Sequence, residues 1–155
     1  MSELIRSIMR SFPLGVVVIT TKWSDNLVGM TVNTFNSLSL NPPLVMFSAD
    51  KTKGNDIPFK ESKGFVVNFI DDEKLFDIFA FKPIKERFRE VKFIEGINGS
   101  PILLDSYAYI EAKKYAAYDI GDHSIIVGEV VNGKFMRDNF EPIVYYNRGY
   151  YKLRK

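Results

Sequence analysis

The residues best placed to do chemistry lie between Gly29 and Val45, in the run Gly29-Met30-Thr31-Val32-Asn33-Thr34-Phe35-Asn36-Ser37-Leu38-Ser39-Leu40-Asn41-Pro42-Pro43-Leu44-Val45. It crowds hydroxyl and amide side chains between two apolar stretches, carries no charge, and ends in a stiff Pro-Pro. The pattern predicts a strand, a ligand-facing loop over 31–39 and a second strand. Such a loop offers many neutral hydrogen-bond donors and acceptors. Thr31, Asn33, Thr34, Ser37 and the backbone N–H groups suit the polar edge of a flat, neutral ring, and Phe35 suits its π-face. Composition alone is equally that of an ordinary Ser/Thr/Asn-rich barrel loop.

Two further stretches carry charge. Asp50-Lys51-Thr52-Lys53-Gly54-Asn55 leads into an expected short helix and offers two ammonium groups, a hydroxyl, a permissive glycine and helix-start N–H groups, all favourable to phosphate. A Lys-rich turn is also an ordinary solvated surface. Lys85-Glu86-Arg87-Phe88 is a charge run of the sort that usually ends a helix in solvent. His123 is the only histidine and follows Gly121-Asp122 at the start of a β-branched stretch.

Several chemistries are excluded by what is missing. One histidine and no cysteine rule out a multi-histidine or thiolate metal site, a disulfide framework and a cysteine nucleophile. No Gly-x-Gly-x-x-Gly, no phosphate-cradling P-loop and no nucleophile elbow is present, so neither a Rossmann cofactor site nor a Ser-His-Asp hydrolase is supported. A net charge of +2, from 21 basic and 19 acidic residues, argues against a nucleic-acid binder. No stretch reaches the roughly 18 uncharged apolar residues of a membrane span. The N-terminus has no apolar leader, and the expectation is a protein of the reducing cytoplasm.

A length of 155 residues fits one domain spanning 1–155. Leu4, Ile5, Ile8, Met9 and Phe12 recur at helical spacing after Ser2 as a cap, predicting a first helix with a buried stripe that Pro13 ends, Arg6 and Arg10 lying off the stripe. Val16 to Thr21 and Leu27 to Met30 flank Trp23-Ser24-Asp25-Asn26 as a hairpin. Leu44 to Ser48 and Phe65 to Ile70 are further strands, separated by a short helix capped by Asn55 or Asp56. Asp71 or Asp72 caps another helix with Leu75, Phe76, Ile78 and Phe79 on its apolar face and Pro83 beyond its end. Tyr107 to Ala117, Ser124 to Val131 and Ile143 to Tyr146 complete the strands, with turns at Gly121-Asp122 and Asn132-Gly133. Many short strands and few helical pieces predict a mainly β fold, a closed barrel with appended helices.

The loop over 31–39, taken with Phe12-Pro13-Leu14-Gly15-Val16-Val17-Val18-Ile19-Thr20-Thr21, Gly121-Asp122-His123-Ser124-Ile125-Ile126-Val127-Gly128-Glu129-Val130 and Pro142-Ile143-Val144-Tyr145-Tyr146, resembles the flavin reductase family built on the FMN-binding split barrel. Within it the likeness is to the small reductase components of two-component aromatic hydroxylases, of the 4-hydroxyphenylacetate 3-monooxygenase type. The resemblance implies a Greek-key split barrel of six or more antiparallel strands that moves a hydride from NADH, or NADPH, to FMN or FAD. It implies a homodimer, an oxygenase partner fed with reduced flavin, and no nucleic acid or membrane partner. Flavin-binding residues implied by it are Thr31, Val32, Asn33, Thr34, Phe35, Ser37 and Leu38 at the ring. Ser48, Ala49, Thr52, Lys53, Gly54, Asn55, Arg87 and Phe88 are those implied at the phosphate side. Arg6, His123, Asn147, Arg148, Gly149 and Tyr150 are implied at the nicotinamide nucleotide. No side chain is assigned proton transfer, because flavin and nicotinamide carry the redox chemistry themselves. Rival readings are a split-barrel oxidase with tightly held FMN and a non-catalytic flavin-binding module.

Overall fold

The computed structural model describes residues 1–154. The chain runs through α1 (Ser2–Met9), β1 (Leu14–Gly15), β2 (Val17–Trp23), β3 (Asn26–Val32), β4 (Asn36–Leu40) and β5 (Pro43–Asp50). It continues through α2 (Ile57–Glu61), β6 (Gly64–Phe69) and α3 (Glu73–Phe81), then a 3-10 turn at Ile84–Glu86, β7 (Phe93–Glu95) and another 3-10 turn at Ile97–Gly99. It finishes with β8 (Pro101–Leu103), β9 (Ala108–Ile120), β10 (His123–Phe135), β11 (Ile143–Tyr146) and β12 (Gly149–Lys152).

Seven strands form one antiparallel sheet in the order β3-β2-β6-β9-β10-β5-β4. Val32 on β3 and Val45 on β5 lie toward opposite edges of this order, yet both pack in one buried cluster with Ile19, Phe47, Phe65, Val67, Ala112 and Ile126. The sheet therefore curls into a barrel with one apolar interior. Phe47 anchors that interior edge-to-face against Phe59 at 5.2 Å and Phe65 at 5.1 Å, so α2 closes one end. The edge strands β3 and β4 are not paired to each other; residues 33–35 alone link them. The barrel is split there.

β2 is buried on both faces, which explains its unbroken β-branched run. Val17 and Ile19 point into the barrel, while Val16 and Val18 pack outside it under Leu75, Phe76 and Phe79 of α3. Asp72 caps α3 as expected, its carboxylate accepting from Lys74 N–H at 3.0 Å. Gly29 makes the close seat of α3 on β3: a Cβ there would stand 2.7 Å from the Phe79 ring and 3.0 Å from that of Phe88. Outside the barrel, the Asn68 amide donates to Val18 O and Thr20 Oγ1, and its oxygen accepts from Leu103 N–H, so β8 is pinned across β2 and β6.

Five expectations need correction. The stripe of α1 is not buried, and Ser2 starts the helix without capping it. Among the described residues none buries that stripe, so Leu4, Ile5, Ile8, Met9 and Phe12 stay exposed. Asn132-Gly133 is not a turn but part of β10, where bulges at Val127/Gly128 and Val130/Asn132 let the strand bend around the barrel. Asp56 sits at the start of α2 without capping it, because its carboxylate is held by Lys60. The stretch 36–40 is an edge strand, not loop; its apolar residues Leu38 and Leu40 are exposed, which hides the usual alternation.

Candidate active site

The split between β3 and β4 opens into two adjoining cavities. The first has a volume of about 350 Å³, within the ~300–1,000 Å³ usual for small-molecule pockets. Its apolar wall is Val16, Met30, Val32 and Ala49, with Ala80 and Phe81 from the end of α3 and the rings of Tyr145 and Tyr150. Thr31, Asn33, Thr34, Ser48, Asp50, Asn55 and His123 supply its polar groups. The second is larger, about 810 Å³, and lies between α1, the 33–36 stretch and the β11–β12 turn. Arg6, Arg10 and Arg148 give it cationic edges, and Phe12, Phe35 and Met46 an apolar floor. Asn33, Thr34, His123 and Tyr145 border both cavities.

Each border residue is positioned by the fold. Thr34 is locked to β5: its hydroxyl donates to Ser48 O at 3.1 Å and accepts from Ser48 N–H at 3.0 Å. Thr31 donates to Phe76 O at 2.7 Å, tying β3 to α3. Both hydroxyl protons are thus committed, and only acceptor lone pairs remain for a ligand. These two hydroxyls can therefore only accept from a ligand; side-chain donors without a partner among the described residues are the Asn33 and Asn55 amides and the hydroxyls of Ser48, Tyr145 and Tyr150. Tyr145 stands on β11, paired to β1 through Leu14, and Tyr150 stacks on Phe76 at 5.5 Å. Burial pushes the Tyr150 phenol up to about 12, so it stays neutral at physiological pH.

His123 opens β10 opposite Asp50 of β5 and Ile120 of β9. Its Nδ1 lies 2.7 Å from Asp122 Oδ1. In the neutral ring Nδ1–H donates to that carboxylate, leaving Nε2 as an acceptor. Asp50 is itself an acid at the wall, held below the usual carboxylate range chiefly by the Thr52 hydroxyl at 2.6 Å and also by Thr52 N–H at 2.7 Å.

The 50–56 turn differs from the expected cradle. Gly54 takes φ +74°, a conformation only glycine adopts freely, and its N–H donates to Lys51 O, while Asn55 N–H donates to Asp50 O. Thr52 is spent on Asp50, and α2 is only five residues long, so few free N–H groups remain. Lys53 is exposed and has no ion pair among the described residues, whereas Lys51 leans toward Asp119 at 3.6 Å. The positive charge available from this turn is that of Lys53.

Of the residues expected at a flavin, the fold brings Thr31, Val32, Asn33, Thr34, Ser48, Ala49 and Asn55 to the first cavity and Phe35 to the second. Thr52, Lys53 and Gly54 form the adjacent turn. Ser37 and Leu38 are on β4, away from the walls. Arg87 and Phe88 are not brought to either cavity. The Arg87 fork donates to Lys82 O at 2.8 Å and to Gly29 O at 2.7 Å, and Phe88 packs between Phe79 and Phe93. Of the residues expected at the nicotinamide nucleotide, Arg6, His123, Asn147 and Arg148 line the second cavity, Tyr150 lines the first, and Gly149 completes the β11–β12 turn. Asn147 and Arg148 both hold positive φ, at 48° and 64°, which aims the turn at α1, and Asn147 N–H donates to Arg10 O at 3.2 Å. The sequence reading missed Arg10, Asp50, Tyr145 and Phe81. Arg10 was legible, since it stands one helical turn beyond Arg6 on the same face.

The geometry is that of two adjoining cavities that share one wall. The flavin reductase like domain model matches residues 9–154, and the chain belongs to that family. It is a flavin reductase. Its structure is similar to that of the flavin reductase HpaC complexed with NADP+, at 72% identity and TM-score 0.97, over 99% of this chain and 98% of that one. It is 33% identical to the FMN reductase (NADH) SmoA of Agrobacterium fabrum over 84% of this chain and 75% of that protein. It is 33% identical to HsaB, the reductase subunit of a flavin-dependent monooxygenase of Rhodococcus jostii, over 94% of this chain and 74% of that protein. Among the described residues no helix is long and apolar enough to cross a membrane.

Proposed function

We propose that this protein transfers a hydride from NADH, or NADPH, to FMN or FAD and releases the reduced flavin to an oxygenase that hydroxylates an aromatic compound. The observation that carries the reading is the wall shared by the two cavities at Asn33, Thr34, His123 and Tyr145. Bound flavin supplies the redox chemistry, accepting at N5 the hydride that leaves nicotinamide C4.

The residues present fit that assignment. Met30, Val32 and Ala49 offer apolar contact to a ring face, the Asn33 and Asn55 amides donate to its carbonyl edge, and Thr31 retains lone pairs for an imide N–H. Lys53, exposed on the turn between Asp50 and Asn55 of the first cavity, would pair with a ribityl phosphate. On the other side, Arg10 and Arg148 are free to neutralise a pyrophosphate, and His123 Nε2 can accept from a carboxamide N–H. Phe35 and Tyr145 exclude water between the two planes and fix their approach, which is the main contribution a protein makes to this chemistry.

The homodimer belongs to the same proposal. Leu4 and Ile8 of α1, Leu38 and Leu40 of β4, and Tyr115, Tyr118 and Ile120 of the β9–β10 hairpin are large, apolar and exposed. Leu40 keeps 91% of its surface. So much apolar area on one subunit supports a second copy covering it. The supply of NADH and the absence of cysteine fit work in the reducing cytoplasm.

Steady-state oxidation of NADH and NADPH with FMN, FAD and riboflavin in turn, on protein stripped of coenzyme, tests the reading. Flavin-dependent turnover is expected. No turnover with any pair refutes it, and colour that survives exhaustive dialysis favours the oxidase with tightly held FMN. His123→Ala should raise the Michaelis constant for the nicotinamide nucleotide, and an unchanged constant removes that residue from the site.

A further inference from the structure

Behind the wall formed by Asn55 and His123 lies a charged cluster that touches neither cavity. Lys60, on α2, places Nζ 2.8 Å from Asp56 Oδ2 and 2.5 Å from Asp119 Oδ1. The Ser124 hydroxyl donates to Asp119 Oδ1 at 2.5 Å, and its oxygen lies 3.5 Å from Asp56 Oδ2. Lys51 closes the outer side, with Nζ 3.6 Å from Asp119 Oδ2 and its N–H donating to Asp122 O at 2.9 Å. Asp56 and Ser124 are buried, at 4% and 0% exposure.

The cluster spans two separate pieces of chain. Asp56 directly follows Asn55 of the first cavity, and Ser124 directly follows His123, which borders both. Lys60 is the one cation shared between a buried carboxylate on the loop side and a carboxylate on the hairpin side. Without its charge two acids face each other, one of them almost wholly buried, and the attraction joining loop to hairpin becomes repulsion. The Lys60 hydrogen bond is also the chief reason that the Asp119 carboxyl is held down at about 2, with the Ser124 hydroxyl adding to it.

We infer that Lys60 is a positioning residue for both coenzymes, bracing the flavin-side loop at Asn55 against the nicotinamide-side His123 so that the two stay at one separation. The inference rests on the flavin reductase reading given above. Its consequence is a joint effect: one substitution outside both cavities disturbs flavin and nicotinamide binding together. Misplacement by about 1 Å can cost up to ~100-fold in rate, so a loss of about tenfold in kcat/KM for NADH is expected.

The test compares Lys60→Met with Lys60→Arg, measuring flavin Kd by fluorescence quenching and NADH KM and kcat at saturating flavin. Lys60→Met should raise both flavin Kd and NADH KM about tenfold, and Lys60→Arg, which keeps the charge, should restore both to within about threefold of wild type. In a His123→Ala background the NADH effect of Lys60→Met should largely vanish, because the brace acts on NADH through His123. Asp119→Asn, at a half-exposed position, removes the charge from the hairpin arm alone; it should raise NADH KM more than it raises flavin Kd, and it decides the matter if Lys60→Met does not fold. A folded Lys60→Met with both constants unchanged, or an Asp119→Asn with NADH KM unchanged, overturns the brace. Wild-type protein lacking flavin-dependent NADH oxidation overturns instead the reading on which it rests.

Discussion

Replacing Arg87 by Met separates a structural role from a ligand-binding one. The family likeness sends its guanidinium to a flavin phosphate; the structure commits it to Gly29 O at 2.7 Å and Lys82 O at 2.8 Å. β3 is an edge strand, so carbonyls on its outer side have no strand partner, and Arg87 satisfies one of them. A hydrogen bond to a charged group is worth about 1.5–3 kcal/mol, and partial exposure of Arg87 places these two at the low end, giving about 2–3 kcal/mol in all. Met preserves the apolar stem against the α3 end, so little packing is lost with the charge. At about 2–4 °C per kcal/mol for a chain of this size, Tm should fall by roughly 5–10 °C. Flavin Kd, measured by fluorescence quenching well below the lowered Tm, should change by less than about threefold. An unchanged Tm with a Kd weakened about tenfold, which is ~1.4 kcal/mol, would refute the structural role and put the fork on the ligand.

Lys53→Ala should weaken FMN or FAD binding by about threefold to fivefold at low ionic strength, with the difference fading by ~0.5 M salt, because an exposed ammonium acts through a screened field; titration at two salt concentrations checks it. Gly128→Ala should destabilise by about 1–3 kcal/mol or prevent folding, since a Cβ there would sit 2.5 Å from the Phe65 ring and 2.7 Å from Ala112 Cβ, both in the core, and denaturant unfolding reads the effect. Asp119, depressed to about 2 by Lys60 and Ser124, contributes stability that is fully present above its unfolded pKa of about 4 and is lost as pH falls toward 2. The stability gap between wild type and Asp119→Asn should therefore shrink steadily below about pH 4, and a gap that stays constant down to pH 2.5 contradicts the assignment.

The parts of the fold legible in the sequence are those whose burial has a period. β2 is apolar on both faces and α3 carries Leu75, Phe76 and Phe79 at helical spacing after an Asp cap, so both read directly. β4 and β7 did not, because their side chains face outward and edge strands owe their existence to a neighbour, and β8 is three buried residues, too short to show a period. The stripe of α1 read as core because periodicity reports that a face is covered, not what covers it. At the site, the hydroxyls and amides pointed to a ligand-facing loop over 31–39, of which the fold brings 31–36 to the cavities, but the partners of those hydroxyls were not legible. Whether Thr34 serves a ligand or Ser48 depends on a residue fourteen positions away that only the barrel brings alongside.

That division of labour explains why the loop is so rich in hydroxyls while offering so few donors. A barrel that stops short of closing leaves two edge strands whose polar groups need partners. Thr31 answers one to α3 and Thr34 another to β5, so the opening is held at a set width without a strand to fill it. Apart from the Asp50 carboxylate and the His123 ring, the first cavity is lined by amides, hydroxyls and apolar walls, which on the proposed reading suits a flat ring whose charge changes as it is reduced. On the same proposal the cations stand at the rims, Lys53 on one side and Arg6, Arg10 and Arg148 on the other, to meet the phosphates. A site so arranged gains affinity from the ends of its ligands and alignment from their middles. Neutralising Arg10 and Arg148 together should accordingly raise the NADH Michaelis constant severalfold with kcat nearly unchanged, whereas Phe35→Ala, which loosens the shared wall, should lower kcat more than it raises KM. The reverse pattern in the two variants would mean that the cationic rim, not the apolar wall, sets the approach of the two rings.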